Sequence, residues 1–223
     1  MTKQYGIAVD INSCIGCGIC VIACKQEHNL SPHVDDVPGT RGAAWNQVLS
    51  MLEGTYPELS MQYLYLHCMH CEKPPCVEAC PVEGALIKRE DGIVLIDKEK
   101  CDGCKGKEEG PRCIPACPYG AIQFDTRKGI AEACNLCFHL VDAGDEPACV
   151  KACLGGTLTF GDLNDPKSKI CQVLKAAGDR VFVLKGEKGT NPSVRYIRPE
   201  GVSVERVSNL GKAKLMYGFA KRE

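Results

Sequence analysis

Short apolar runs broken by glycine and acidic turns dominate this chain. Ala85–Lys88 and Ile93–Ile96 are strand-like runs joined by Glu90-Asp91-Gly92, a hairpin signal. Ala121–Phe124, then Arg127-Lys128-Gly129, then Ile130 repeat the theme. Gly6–Val9 and Thr157–Phe160 predict further edge strands, and Val181–Leu184 and Val194–Ile197 predict strands of a C-terminal extension. Asp165-Pro166 starts a helix whose stripe is Ile170, Val173, Leu174 and Ala177, and Gly178 stops it. The stretch from Lys25 to about Leu59 reads as a long structureless insertion. No apolar run approaches the length of a membrane span, and Met1–Val9 lacks the apolar core of a signal peptide.

Composition changes this picture at one residue type. Of 223 residues, 17 are cysteine. The remainder is globular, with 44% hydrophobic residues, 25% charged and a formal charge of −1. That balance excludes disorder as the main state and disfavours nucleic acid as a partner bound through bulk positive charge. Aromatic content is 6%, with Trp45 the single tryptophan, so packing alone is a weak source of stability. An odd cysteine count without an export signal argues against a disulfide framework.

The cysteines fall into four quartets. Cys14, Cys17, Cys20 and Cys24 read C-x2-C-x2-C-x3-C. Cys68, Cys71, Cys76 and Cys80 read C-x2-C-x4-C-x3-C. Cys101, Cys104, Cys113 and Cys117 read C-x2-C-x8-C-x3-C. Cys134, Cys137, Cys149 and Cys153 read C-x2-C-x11-C-x3-C. Only the middle gap varies, so this is an internal repeat with insertions at one fixed point. Cys171 is left over, and it reads as a small buried hydrophobe rather than a ligand.

The first quartet is the bacterial ferredoxin run for a [4Fe–4S] cluster. Three thiolates on a tight loop reach three irons of one cube, and the fourth, set off by three intervening residues, points to a second cube. Gly16, Gly18 and Gly103 let the loops wrap closely. Pro81 after Cys80 and Pro118 after Cys117 complete the ferredoxin signature. Structural zinc is the competing chemistry, but a zinc ribbon has two similar pairs, not a triplet closed by C-x3-C-Pro. The hairpins around the quartets fit a ferredoxin-like fold, with short helices expected after each fourth cysteine.

Two quartets make one two-cluster unit, each lending its last cysteine to the other. The second and third quartets are 20 residues apart and alone carry the Cys-Pro closing, whereas Lys25 and Leu154 follow the first and fourth. This favours a nested arrangement. Cys14, Cys17, Cys20 and Cys153 then hold one cluster, and Cys24, Cys134, Cys137 and Cys149 another. Cys68, Cys71, Cys76 and Cys117 hold the third, and Cys80, Cys101, Cys104 and Cys113 the fourth. Pairing in chain order stays open, because 16 residues separate the third quartet from the fourth. The fold class expected is α+β. A split ferredoxin-like module (1–24 and 118–161) encloses an insertion (25–62) and a contiguous module (63–117). An extension (162–223) follows.

From Ile7 to about Asp162 the chain resembles the iron–sulfur electron-transfer (beta) subunits of the molybdopterin oxidoreductases. That family includes polysulfide, dimethyl-sulfoxide, tetrathionate and arsenate reductases and formate dehydrogenase. The stretches that carry the resemblance are Cys14–Cys24, Cys68–Pro81, Cys101–Gly120 and Cys134–Gly161, the last with Asp142-Ala143-Gly144-Asp145-Glu146-Pro147-Ala148 before Cys149. The resemblance implies four [4Fe–4S] clusters, the nested pairing, and a large molybdopterin-containing catalytic subunit as partner. It also allows a membrane anchor or a soluble carrier as the other partner. Either export as a folded complex on the partner's signal or a cytoplasmic complex is consistent with it.

No G-x-G-x-x-G, G-x4-G-K-[ST] or G-x-S-x-G is present, so no catalytic residue is expected here. His67, His70 and His139 lie near cysteines, but every quartet is complete without them, and they read as packing groups around the ligands. The insertion, with His33-Val34-Asp35-Asp36-Val37-Pro38-Gly39, either covers the first cluster or docks the catalytic subunit. Lys212, Lys214, Lys221 and Arg222 could steer an acidic partner. Each oxidised cluster with its four thiolates adds about −2, so four sites bring the charge from −1 to about −9. Lys25, Lys105, Lys107, Arg112 and Lys151 lie beside ligands and are the expected compensation, with Lys105 and Arg112 expected to raise the neighbouring potential.

Overall fold

A computed structural model of the chain describes residues 2–30, 44–107, 110–203 and 214–215. The His33–Gly39 stretch, Glu108, Glu109, Lys212, Lys221 and Arg222 lie outside the described residues.

Strand β1 (Tyr5–Asp10) is apolar up to its closing Asp10, with Ile7, Ala8 and Val9 all buried. It is followed by α1 (Ile19–Glu27), then β2 (Asn46–Thr55) and β3 (Glu58–His67). Next come α2 (Pro75–Glu78) and the hairpin of β4 (Leu86–Lys88) and β5 (Val94–Ile96). Then follow α3 (Cys113–Ala116) and the hairpin of β6 (Gln123–Asp125) and β7 (Ile130–Glu132). The last ligands sit around α4 (Phe138–Asp142) and α5 (Ala148–Lys151). β8 (Leu158–Asp162) follows, and the extension supplies α6 (Lys169–Ala177), β9 (Val181–Phe182), β10 (Val194–Ile197) and β11 (Lys214–Leu215).

Both hairpins form where the turn signals put them, Leu86 opposite Ile96 and Gln123 opposite Glu132. Gly6–Val9 and Thr157–Phe160 were expected at sheet edges, and β1 is instead interior. The sheet order is β8-β1-β10-β9, with Ile7 opposite Phe160 on one side and parallel to Val194 on the other. Interior placement pairs the β1 backbone along both edges, while α6 and the base of the β2–β3 hairpin pack against its apolar side chains.

The insertion is not structureless where it is described. β2 and β3 form a long antiparallel hairpin, from Asn46 opposite His67 to Thr55 opposite Glu58. β3 runs unbroken across the 62/63 boundary into the second quartet. Its base is core: Val48, Leu49, Leu64, Tyr65 and Leu66 pack with β1 and β10. Residues 64–67 are buried without alternation and residues 58–61 are exposed without alternation, so the period of two is absent at both ends.

The short helices also differ from expectation. They carry the third cysteine of each quartet rather than following the fourth: α2 holds Cys76, α3 Cys113 and α5 Cys149. Only α1 holds both Cys20 and Cys24. The proline after Cys117 bars it from helical backbone, and it is extended at φ −79°, ψ 110°. Helix α6 begins at Lys169, not Pro166, because the Ser168 hydroxyl accepts the Cys171 N–H and so caps it.

Trp45 ties the insertion to the body. Its indole N–H donates to Glu132 on β7 at 3.2 Å, and Glu132, wholly buried, also takes Lys128 at 2.7 Å. Replacing Glu132 by Leu strands a buried donor, at a cost of about 1–3 kcal/mol. Glu132→Gln keeps an acceptor for the indole. Urea midpoints of the holo-protein check this: Leu is expected to lower the midpoint clearly, and Gln much less. Equal midpoints for the two would refute the role of the indole bond.

Candidate metal centres

Each quartet opens on the same turn. The residue just before the second cysteine has a left-handed backbone in all four: Gly16 at φ 69°, His70 at 42°, Gly103 at 64° and Leu136 at 55°. That turn folds C-x2-C back on itself so that both sulfurs face one point. Glycine is required at two of these places. A Cβ on Gly16 would lie 2.5 Å from the Tyr63 ring, and one on Gly103 would lie 2.1 Å from the Gly129 carbonyl. His70 and Leu136 adopt the conformation without that freedom, a strain that marks constrained sites.

The sulfurs gather in groups. Cys14, Cys17, Cys20 and Cys153 line one hollow. Cys68, Cys71, Cys76 and Cys117 line another. Cys113 has Cys80, Cys101 and Cys104 as its electrostatic neighbours. Cys24 has Cys149 and Cys137, and Cys134 has Cys24 and Cys149. Neighbouring groups also lie within electrostatic reach of one another: Cys149 raises Cys20, and Cys68 raises Cys134.

Without a cation these groups resist ionisation. Burial, reinforced by the neighbouring thiols, pushes Cys20 and Cys76 up to about 12 and Cys113 and Cys137 up to about 11. Four thiolates in one buried hollow would repel one another, so only a cationic core makes the fourfold deprotonated state favourable. Two buried histidines point the same way. His67 and His70 are almost wholly buried, and both nitrogens of His67 and Nε2 of His70 have no hydrogen-bond partner. The donor set therefore fits iron–sulfur clusters bound by thiolates. All 17 cysteines are free of disulfides.

Further side chains support the ligands. The Tyr65 hydroxyl lies where it favours the Cys149 thiolate, and Thr190, which bonds the Tyr119 hydroxyl at 2.6 Å, does the same for Cys71. His28 is a contact that sequence reading missed. Its Nε2 lies 3.2 Å from Cys137 Sγ, and its ring packs on Trp45 at 4.3 Å. One helical turn after Cys24, it was legible only once α1 was known to run on to Glu27. His139, by contrast, reaches outward to Glu27 at 2.7 Å. Cys171 belongs to no group. It is half-buried, and its thiol donates to the Leu163 carbonyl at 3.4 Å.

The expected compensating cations are unevenly placed. Lys105, Lys107 and Arg112 are exposed, so water and salt screen them. Lys151 is exposed and pairs with Asp145 at 2.5 Å. Lys25 is half-buried, and burial lowers its pKa against the opposing pull of Cys24.

Comparison with known proteins gives two matches to family models described as 4Fe-4S dicluster domains, over residues 13–85 and 59–163. The chain is 39% identical to the B subunit of tetrathionate reductase from Salmonella typhimurium, over 87% of this chain and 72% of the relative. It is 32% identical to the arsenate respiratory reductase iron-sulfur subunit of a Shewanella species, over 89% and 98%. It is 39% identical to the B component of polysulfide reductase from Wolinella succinogenes, over 87% and 94%. Among the described residues no helix is long and apolar enough to cross a membrane. The chain thus belongs to the family its cysteine runs resemble, the iron–sulfur electron-transfer (beta) subunits of the molybdopterin oxidoreductases, which relay electrons within a reductase complex and are not catalytic on their own.

Proposed function

We propose that this chain holds four [4Fe–4S] clusters in a row and connects a large molybdopterin catalytic subunit, containing molybdenum or tungsten, to a second redox partner. That partner is a membrane anchor subunit or a soluble carrier. The observation that carries the reading is the exchange of closing cysteines. Cys153 keeps company with Cys14, Cys17 and Cys20, and Cys117 with Cys68, Cys71 and Cys76. Cys24 and Cys80 are exchanged the other way. This favours the nested modules and all 16 quartet cysteines as ligands.

The contacts between groups also suggest an order. The Cys14 group adjoins the Cys134 group through Cys20 and Cys149, and the Cys134 group adjoins the Cys68 group through Cys134 and Cys68. The Cys101 group closes the row through the module it shares with the second quartet. Bound clusters supply one-electron exchange at each position. The chain's own contribution is to fix the thiolates, exclude water and set spacing.

Purified under anaerobic conditions, the chain is expected to carry about 16 iron and 16 acid-labile sulfide. It should co-purify from its native source with a large molybdenum- or tungsten-containing subunit. Zinc in place of iron would overturn the cofactor. Full iron on a chain that purifies alone would make it a free-standing polyferredoxin instead.

A further inference from the structure

His67 and His70 flank Cys68 at the point where the second and fourth quartets meet. Their rings are 6.2 Å apart, and one nitrogen of each lies with Cys134 Sγ inside a 4.8 Å circle. His70 Nδ1 accepts the Val94 N–H of β5 at 3.0 Å. A neutral ring with Nδ1 as acceptor carries its proton on Nε2. That N–H is a donor, buried and without a partner. His67 brings a second buried ring: neither of its nitrogens meets an acceptor at hydrogen-bond geometry, and the Cys68 backbone exerts only a weak pull on it. Two orphaned donors in a dry position are costly unless something there accepts. Among the described residues, Cys134 Sγ lies within 4.8 Å of a nitrogen of both rings.

We infer that His67 and His70 are positioning residues that donate hydrogen bonds to the sulfur-bearing group at Cys134, at the junction between the two modules. The inference rests on the proposed reading that Cys134 holds a cluster. Hydrogen bonds to cluster sulfurs stabilise the reduced, more negative state and so raise the potential. The pair would then bias electron occupancy at the crossing from one module to the other. A lone metal ion on the same three atoms is the rival chemistry, but it would withdraw Cys134 from its quartet.

The test is a redox titration of the holo-chain followed by EPR, with iron, sulfide and zinc measured on each sample. Cys134→Ser first identifies which midpoint belongs to that group. If no cluster signal responds to Cys134→Ser, the ligand reading fails and the inference falls with it. His67→Leu removes a donor, whereas His67→Gln restores one. His70→Asn tolerates the left-handed backbone and can still accept from Val94, but it lacks the Nε2 donor. The same midpoint is expected to fall in His67→Leu and His70→Asn, with full iron, and to recover in His67→Gln. Unchanged midpoints with full iron would overturn the inference and leave the donors satisfied by buried water. A downward shift that Gln does not rescue would overturn it too, as a packing effect. Stoichiometric zinc in the wild-type chain would overturn it in favour of the lone ion. If His67→Leu loses iron, pulsed EPR of the His28→Gln chain labelled with 15N-histidine decides, because His28 itself lies 3.2 Å from Cys137 Sγ of the same group. Nitrogen coupling at the Cys134 signal supports the inference, and its absence refutes it.

Discussion

Stripping iron from this protein by anaerobic chelation is expected to abolish its cooperative thermal transition and most of its tertiary structure. The cysteines are part of the core, not decoration on it. Cys20, Cys68, Cys71 and Cys149 pack in the main core with Ile7, Leu64 and Tyr196, and Cys76 and Cys113 pack in the smaller core with Leu86, Val94 and Ile122. Remove the clusters and the hollows between the quartet cysteines lose their filling. Metal binding at a thiolate site contributes on the order of 10 kcal/mol, comparable to the roughly 5–15 kcal/mol that separates a folded domain from its unfolded chain. With 6% aromatic residues there is little else to compensate. Calorimetry and near-ultraviolet circular dichroism of the apo-chain check this. Trp45 fluorescence should red-shift as its contacts with His28 and Glu132 are lost. An apo-chain with native dichroism and a single sharp melt would refute it.

Cys153→Ser is expected to disturb the cluster held by the N-terminal quartet and to leave the one held by Cys101, Cys104 and Cys113 unchanged. The two residues are far apart in sequence but share a wall. α5 ends at Lys151, and the chain then delivers Cys153 into the hollow lined by Cys14, Cys17 and Cys20. Thr157, just beyond, lines the same hollow, and its carbonyl takes the Asp10 N–H at 2.8 Å. Serine is a poorer ligand, so about a quarter of the iron signal should change its EPR or Mössbauer character. Cys14→Ser should alter the same signal. If Cys153→Ser and Cys104→Ser converge on one signal instead, pairing follows chain order and the nested arrangement is wrong.

The quartets, both small hairpins and the α6 stripe could be read from sequence because each is written in neighbouring residues. Their chemistry is local too, since C-x2-C fixes a turn whatever surrounds it. The parts that escaped depend on distant partners. Nothing within Gly6–Val9 says that Val194–Ile197 will lie alongside it. Nothing near Trp45 announces Glu132, and nothing near Cys137 announces His28. The β2–β3 hairpin escaped for a different reason. It is buried on both faces at its base and bare at its tip, where Leu52, Tyr56, Leu59 and Met61 are exposed. Alternation reports a strand with one wet face, and this hairpin has no such stretch of useful length.

The interior position of β1 sets a timetable for biosynthesis. Its two neighbours, β8 and β10, are made more than a hundred residues later. At about 5–20 residues per second that delay is on the order of ten seconds. Quartets two and three, with their own hairpins, can close while the ribosome is still at work. Cys14, Cys17 and Cys20 emerge first, yet the sheet that encloses them is completed last. The earliest thiols are therefore exposed longest to oxygen and stray metal. A cell that makes this protein needs its cluster-delivery machinery, or a holding chaperone, waiting at the beginning of the chain rather than at its end.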